Sequence, residues 1–116
     1  LVQYTVPALF DLVAQGHLSH TLLVERACHA PADLFGVGER GYVREGYFAD
    51  LVIVDPEQAL TVRREDVLNK CGWSPFEGHR FTSSIHTTMV NGQVVYRGGN
   101  LTNVIAGERL IFARAR

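Results

Sequence analysis

Residues 85–96 read Ile85-His86-Thr87-Thr88-Met89-Val90-Asn91-Gly92-Gln93-Val94-Val95-Tyr96, and this stretch decides the fold of the second half of the chain. Two runs rich in β-branched residues flank the pair Asn91-Gly92. A type I′ turn needs positive φ at both central positions, which Asn and Gly adopt more readily than other residues do. The sequence therefore predicts a β-hairpin that turns at Asn91-Gly92.

The segments on either side of this hairpin predict further β-structure. Upstream, the β-branched run Leu51–Val54 stops at Asp55-Pro56, which is typical of a buried strand. We expect this strand to lie in the same sheet system as the hairpin, and residues 59–62 are a weaker strand candidate. Downstream, Gly98-Gly99-Asn100 closes the hairpin, and residues 101–116 show no firm period and receive no assignment.

Residues 1–36 are predicted to be helical. Apolar side chains recur at helical spacing in the first segment and form one stripe. We expect this helix to begin near Thr5, since Pro7 is tolerated only in a first turn, and to end at Gly16. Ser19 is the predicted N-cap of a second helix, and Pro31 opens a third helix of one turn, which Gly36 ends. The stripe consists of Val2, Val6, Leu9, Phe10 and Val13.

The composition indicates one compact domain. The chain has 116 residues, of which 47% are hydrophobic and 20% charged, so it can build an apolar core. Eleven basic and twelve acidic side chains give a net charge of -1, which provides no basic surface for nucleic acid or for an acidic membrane. No apolar run is long enough to span a bilayer, and no signal peptide pattern is present. The chain starts at Leu1, without Met and inside an amphipathic segment, which we interpret as the start of a fragment.

The two cysteines, Cys28 and Cys71, form neither a disulfide framework nor a CxxC metal motif. A reducing, cytoplasmic location is therefore expected. Trp73 is expected to pack around Pro75 rather than to form a binding patch with Cys71 and Phe76.

No residue is assigned a catalytic, cofactor-binding or metal-ligating role from the sequence. A hydrolytic zinc site needs three or four converging ligands, and the five histidines lie in no HxH, HExxH or paired His/Cys motif. The serines lie in no GxSxG motif. The glycines of residues 36–41 have the GxGxxG spacing but follow a helix rather than a strand, so we reject a dinucleotide site. The histidines are His17, His20, His29, His79 and His86.

Three stretches resemble the amidohydrolase superfamily. In Gly41–Asp55, two spaced glycines precede Ala-Asp-Leu-Val and an Asp-Pro pair. Cys28–Gly36 is similar to a family helix written with Asn-Pro-Ala, although Ala30 replaces the Asn, which we expect to weaken the helix cap. Lys70–Gly78 contains Ser-Pro-Phe-Glu-Gly and resembles the dihydroorotase branch. The resemblance extends from about Leu1 to Gly98.

The resemblance implies an α+β fragment. Residues 1–44 would be the last outer helices of a (β/α)₈ amidohydrolase barrel, and residues 45–116 the C-terminal part of its small β-sandwich. In such enzymes two zinc ions are held by residues of the barrel strands, whose C-terminal ends form the active site. We expect these residues upstream of Leu1. We therefore expect no catalytic, cofactor-binding or metal-binding residue in this chain, and no activity from the chain alone.

The activity implied for the intact protein is zinc-dependent hydrolysis of a cyclic amide. The nearest resemblance is to dihydroorotase, which interconverts dihydroorotate and N-carbamoyl-aspartate in pyrimidine biosynthesis. Two alternatives remain: an allantoinase or dihydropyrimidinase, and a non-catalytic dihydroorotase-like scaffold. The expected partners are a small-molecule substrate, with no nucleic acid and no membrane. Since the apolar stripe and open strand edges would be exposed on an isolated chain, we also expect homo-oligomers or association with the rest of the enzyme.

Overall fold

Helices occupy the first third of the chain and short strands follow, in the predicted order. The computed structural model describes residues 2–113. A 3₁₀ turn at Val2–Tyr4 precedes helix α1, a π-helical turn joins α2 to α3, and a second 3₁₀ turn at Arg64–Asp66 lies between strands β2 and β3. The helices and strands are α1 Thr5–Ala14, α2 His20–Val24, the π-helical turn Glu25–His29, α3 Ala30–Phe35, β1 Leu51–Asp55, β2 Leu60–Thr61, β3 Arg80–Phe81, β4 Ser84–Val90, β5 Gln93–Arg97 and β6 Asn100–Leu101.

Helix α1 has the predicted ends. It begins at Thr5, with Pro7 in its first turn, and its last residue is Ala14. Gly16 follows with φ +78°, a left-handed conformation that costs glycine little because it has no Cβ. The Gly16 N–H donates to the carbonyl of Val13 at 2.9 Å, which satisfies one of the last free carbonyls of the helix.

The buried face of α1 is not the predicted apolar stripe. Tyr4 and Pro7 are buried, and Ala8 packs against the core. At about 3.6 residues per turn, Pro7, Ala8 and Asp11 share one face, and the stripe residues of α1 lie on the opposite face. Val2 is 92% exposed, and the other stripe residues are half-buried: Val6, Leu9, Phe10 and Val13.

Helices α2 and α3 run into each other through the π-helical turn. Ser19 is the N-cap, as predicted, because its Oγ accepts a hydrogen bond from the Leu22 N–H at 3.1 Å. Pro31 lies in the first turn of α3, as predicted, but α3 begins one residue earlier, at Ala30, and continues directly from the π-helical turn. Pro31 has no N–H, and its ring would clash with the carbonyl four residues earlier in a regular α-helix. In the wider turn the Ala30 N–H donates to the Glu25 carbonyl instead, five residues back.

Ala30 is the first residue of α3, and no side-chain hydrogen bond among the described residues caps the junction with the π-helical turn. The expected weakening of a cap by Ala30 stays a prediction. Gly36 ends α3 as predicted, with φ +61° and its N–H bonded to the Asp33 carbonyl at 3.2 Å.

The predicted hairpin is confirmed. Strands β4 and β5 pair antiparallel, with Val90 opposite Gln93. Asn91 has φ +49° and Gly92 φ +77°, the two positive values that a type I′ turn requires. Gly98 and Gly99, both at positive φ, turn the chain again into β6, which was not predicted. The four-stranded sheet has the order β1-β4-β5-β6.

Strand β1 forms where predicted, in the same sheet as the hairpin, but the prediction that it is buried was wrong. Val52 is 47% exposed and Ile53 is 53% exposed, whereas Leu51 and Val54 are half-buried. In the described residues β1 is an edge strand with one neighbour, so part of its apolar surface is left uncovered.

Two compact units are formed, each from two separated stretches of the chain. The first unit is Leu1–Leu18 with Val54–Ile85, and the second unit is Ser19–Ile53 with His86–Arg116. Strands β2 and β3 pair in the first unit, with Leu60 opposite Phe81. The aromatic core of this unit consists of Tyr4, Val62 and Phe81, with Ala8, Leu60 and Phe76 packed against them.

The segment after β6, for which the sequence predicted nothing, contacts the end of α3. Val37 forms an antiparallel bridge with Phe112. The Ala113 N–H donates to the Gly36 carbonyl at 2.7 Å, and the Gly38 N–H donates to the Ile111 carbonyl at 2.8 Å. Residues 114–116 lie outside the described residues.

Candidate functional site

The histidines occupy separate positions. His29 stacks on Tyr42, and His79 bonds to Asp11. Within residues 2–113, no three His, Cys, Asp or Glu side chains lie close enough together to hold a metal ion. The residues present therefore do not fit the zinc centre that the resemblance implies. The other three histidines are exposed: His17, His20 and His86.

The first polar cluster, which we call the Asp11 cluster, consists of Asp11, His79 and Thr82 in the first unit. His79 Nε2 donates to Asp11 Oδ2 at 3.0 Å, because an ionised carboxylate can only accept. The main-chain N–H and the hydroxyl of Thr82 both donate to Asp11 Oδ1, each at 2.8 Å. Asp11 thus joins helix α1 to the chain that follows β3.

These contacts shift the ionisation of Asp11. Burial alone would raise the pKa of its carboxyl, but the hydrogen bonds from Thr82 and His79, together with the charge of His79, lower it below 3.8. The carboxylate therefore stays ionised in the folded state at a pH where a free Asp would take up a proton. His79 is about half exposed, so the ion pair is screened by solvent and its hydrogen bonds matter more than its charge.

The second polar cluster, which we call the Arg40 cluster, consists of Arg40, Asp50 and Asn91 in the second unit. The Arg40 side chain is only 9% exposed. Its guanidinium forms an ion pair with Asp50, donates to Asn91 Oδ1 at 2.7 Å, and lies 4.1 Å from the centre of the Phe48 ring. Two of its nitrogens are each directed at a specific partner, Asp50 and Asn91, which is the usual way in which a buried guanidinium is tolerated.

Asn91 has a double role in this cluster. It is the first central residue of the hairpin turn, and its main-chain N–H donates to Asp50 Oδ1 at 2.8 Å. Its side-chain Nδ2 donates to the Ala106 carbonyl at 2.5 Å, and the neighbouring Gly92 N–H donates to the Ala49 carbonyl at 3.0 Å. The turn is therefore bonded both to the loop before β1 and to the segment after β6.

A third arrangement lies around Tyr42. Its ring stacks on His29, with ring centres 4.1 Å apart, and the Arg44 guanidinium lies 4.2 Å from the ring centre. Two groups at this distance cannot share one face of a ring, so they lie on opposite faces. The Tyr42 hydroxyl donates to Asp33 Oδ2 at 2.7 Å, and this bond raises the pKa of Tyr42 above 10.0. The neighbouring Gly41 packs closely against α3. A Cβ at position 41 would lie 2.3 Å from the Cβ of Ala32, so only glycine fits there.

The Lys70–Gly78 loop, which resembles the dihydroorotase branch, is held by a hydrogen bond within the loop and by the packing of one aromatic ring. Ser74 is buried, and its Oγ accepts from the Phe76 N–H at 3.1 Å. The Phe76 ring packs edge-on against Phe81 at 5.2 Å. Trp73, in contrast, is 55% exposed, and its packing around Pro75 stays a prediction.

Sequence reasoning missed the Asp11 and Arg40 clusters. Asp11 lies three and four residues after Ala8 and Pro7 and so shares their helix face, but the sequence does not identify that face as the buried one. Arg40 had no local signal either, because its partners lie 10 and 51 positions away. Both clusters join segments that are far apart in the sequence, across 71 positions for Asp11 and Thr82 and 51 for Arg40 and Asn91. Among residues 2–113, no helix has the length and apolar character needed to cross a bilayer.

The comparisons with known proteins agree with one family. The Amidohydrolase family model matches residues 4–95. A dihydroorotase from Pyrococcus furiosus is 32% identical over 91% of this chain, and one from Clostridium acetobutylicum is 36% identical over 77% of it. The chain spans only 25% and 21% of the length of these two relatives.

Solved structures give the same result. An L-hydantoinase (dihydropyrimidinase) from Arthrobacter aurescens superimposes with a TM-score of 0.74 and 36% identity, covering 83% of this chain and 22% of that one. A D-hydantoinase superimposes with a TM-score of 0.72 and 28% identity, over 79% of this chain and 20% of that one. Because the family model matches residues 4–95, and a dihydroorotase is 32% identical over 91% of the chain, the chain belongs to the amidohydrolase family.

Proposed function

We propose that the intact protein is a dihydroorotase, a metal-dependent hydrolase that interconverts dihydroorotate and N-carbamoyl-aspartate in pyrimidine biosynthesis. The observation that supports this most is the 32–36% identity to dihydroorotases over 77–91% of the chain. The Lys70–Gly78 loop adds to it, since its Ser-Pro-Phe-Glu-Gly sequence resembles that branch and Phe76 from this loop packs on the aromatic core.

This chain supplies structure rather than catalysis in the proposal. Residues 1–44 are proposed to cover the barrel, and residues 45–116 to form part of the β-sandwich. The side chains of residues 2–113 do not provide a metal site, so the zinc ligands and the proton-transferring aspartate would come from elsewhere in the protein. A cytoplasmic location and a small-molecule substrate belong to the same proposal.

A second candidate is a hydantoinase-like activity, meaning a dihydropyrimidinase or an allantoinase. It is favoured by the superposition on an L-hydantoinase at 36% identity, which equals the highest dihydroorotase identity given above. These enzymes all hydrolyse a cyclic amide, so the choice depends on substrate contacts outside this chain.

The decisive assay compares two samples: residues 1–116 alone and the full product of the gene, each with zinc. We expect the full product to hydrolyse dihydroorotate faster than hydantoin, dihydrouracil or allantoin, and to hold zinc. We expect residues 1–116 to hydrolyse none of them and to bind no zinc stoichiometrically, because no metal ligands converge within residues 2–113. Preference for another ring would establish the second candidate, and absence of all activity would indicate a non-catalytic scaffold. Tightly bound zinc in residues 1–116 would contradict the role given to this chain.

Association is expected of residues 1–116 alone. In the second unit Leu34, Phe35 and Ile111 are 77%, 65% and 68% exposed, and Val2 in the first unit is 92% exposed. Uncovered apolar surface costs about 25 cal/mol for each Å². We expect sedimentation to show self-association of the isolated chain at micromolar concentration, and substitution of Phe35 by Asp to weaken it. A monomer at all concentrations would contradict this expectation.

A further inference from the structure

Asn91-Gly92 is the one position in the sequence where glycine follows asparagine; Lys, Leu and Val follow the other asparagines, at positions 69, 100 and 103. An asparagine before glycine loses its side-chain amide more readily than others. The reason is steric: glycine has no Cβ, so its main-chain nitrogen can approach the preceding side chain closely. This pair therefore has the sequence of a chemically modifiable site.

The reaction needs only water. The Gly92 nitrogen loses its proton and attacks the side-chain carbonyl carbon of Asn91, forming a new C–N bond. The bond to Nδ2 breaks and ammonia leaves, which yields a five-membered cyclic imide. Water then opens the imide at either carbonyl and gives aspartate or isoaspartate. One water is consumed and one ammonia released, with no change in oxidation state.

Every group that takes part in this reaction is held by a hydrogen bond in the folded chain. The nucleophile, Gly92 N–H, donates to the Ala49 carbonyl at 3.0 Å. The carbonyl that would be attacked, Asn91 Oδ1, accepts from Arg40 at 2.7 Å, and the leaving nitrogen, Nδ2, donates to the Ala106 carbonyl at 2.5 Å. Ring closure requires the side chain and the Gly92 nitrogen to leave these partners together.

We propose that Asn91 is a deamidation site which the Arg40 cluster protects, so that it reacts only when this part of the second unit opens. The modification would then prevent correct closure. A carboxylate at position 91 has no hydrogen to donate to Ala106 and adds a negative charge beside Asp50. Isoaspartate also inserts a main-chain methylene into a two-residue turn, which breaks the hairpin geometry.

Arg40 has two opposing effects on the reaction. A guanidinium bound to Oδ1 would stabilise the oxyanion that forms during attack, and would by itself accelerate deamidation. However, the bonds from Arg40 to Asn91 and Asp50 also keep the Asn91 side chain away from the Gly92 nitrogen. Since the Gly92 N–H points at Ala49, attack cannot begin from the closed arrangement, and the restraint decides the rate.

The experiment incubates residues 1–116 at mildly alkaline pH and follows Asn91 by peptide mapping, with isoaspartate separated from aspartate. The folded chain is compared with the same chain in concentrated urea, and the other three asparagines serve as internal references. We expect folded Asn91 to react at least about tenfold more slowly than in urea, which corresponds to an opening free energy of about 1.4 kcal/mol. Equal rates in the folded and unfolded chain would overturn the proposal.

Two substitutions test the protection by Arg40. Arg40→Gln should accelerate deamidation of the folded chain at least about threefold, because opening becomes easier. Arg97→Gln removes the same charge from exposed Arg97 in β5 and should change nothing. Arg40→Lys retains a charge but lacks the planar fork that directs separate nitrogens at Asp50 and Asn91, so we expect an intermediate rate. Slower deamidation in Arg40→Gln would mean that Arg40 promotes the reaction, and would refute the proposal. If neither Arg40 variant folds, the comparison of the wild-type chain with and without urea decides the question.

Discussion

The first unit closes around aromatic rings, whereas the second unit closes around a buried guanidinium. In the first unit Tyr4 and Phe81 stack with ring centres 5.9 Å apart, and Phe76 meets Phe81 at 5.2 Å. In the second unit Arg40 is directed at Asp50 and Asn91 by ion pairing and hydrogen bonding. Apolar burial is non-directional and tolerates small shifts, whereas the guanidinium contacts depend on the position of each partner. We therefore expect the two units to respond differently to substitution.

The largest effect is expected from Phe81→Ala. Phe81 is 1% exposed, and truncating a buried Phe costs about 3–5 kcal/mol through lost burial and the cavity left behind. Urea unfolding followed by circular dichroism measures the free energy of unfolding, and hydrogen exchange should locate the loss of protection in residues 54–85. Leu68→Ala, at a 59% exposed position of the same unit, is the control. If both variants lost the same free energy of unfolding, the aromatic core would contribute no more to stability than an exposed leucine does.

A smaller effect is expected from Arg40→Gln. Removing one partner leaves Asp50 uncompensated, but the Asp50 side chain is 35% exposed, so we expect about 2–3 kcal/mol rather than the larger cost of a fully buried pair. Hydrogen exchange should increase at the hairpin turn and leave the first unit unchanged. Arg97→Gln is the matched control. Loss of protection in the first unit as well would show that the two units do not respond separately.

The smallest effect is expected from Asp11→Asn, at about 1–2 kcal/mol near neutral pH, because the substituted amide cannot accept from both Thr82 and His79. The folded-state pKa of Asp11 lies below the unfolded value of 3.8, so its stabilisation is complete above pH 3.8 and is lost as the pH falls through the folded pKa. The difference between wild type and variant should therefore shrink in acid. Glu77→Gln, at an exposed position of the same unit, should leave the pH dependence of the unfolding free energy unchanged. A difference that stays constant down to the lowest pH would show that the charge of Asp11 is irrelevant.

The elements that the sequence predicted correctly depend on neighbours within a few residues. The Ser19 cap bonds to Leu22, three positions away, and the Asn91-Gly92 turn depends on two adjacent residues. The same local rule applies to Gly98-Gly99, where a second turn was overlooked although the two glycines are a known hairpin signal.

The remaining features depend on residues that are far apart in the chain. Asp11 bonds to Thr82 across 71 positions, and Asn91 bonds to Arg40 across 51. The buried face of α1 includes Pro7 and Ala8, which a hydrophobicity pattern ranks below Leu9 and Phe10, so its orientation could not be inferred from the helix alone. The family resemblance gave the outline of the fold but not these contacts.

The interleaving of the two units has a consequence for how the chain is made and divided. Helix α1 is synthesised well before the strand that carries Phe81, and a ten-residue helix is marginal in water without a partner. Ser19–Ile53 similarly precedes His86–Arg116, with which it forms the second unit. Neither unit can close until a long intervening stretch has emerged, which favours slow folding. For the same reason no single cut of the chain separates one unit from the other.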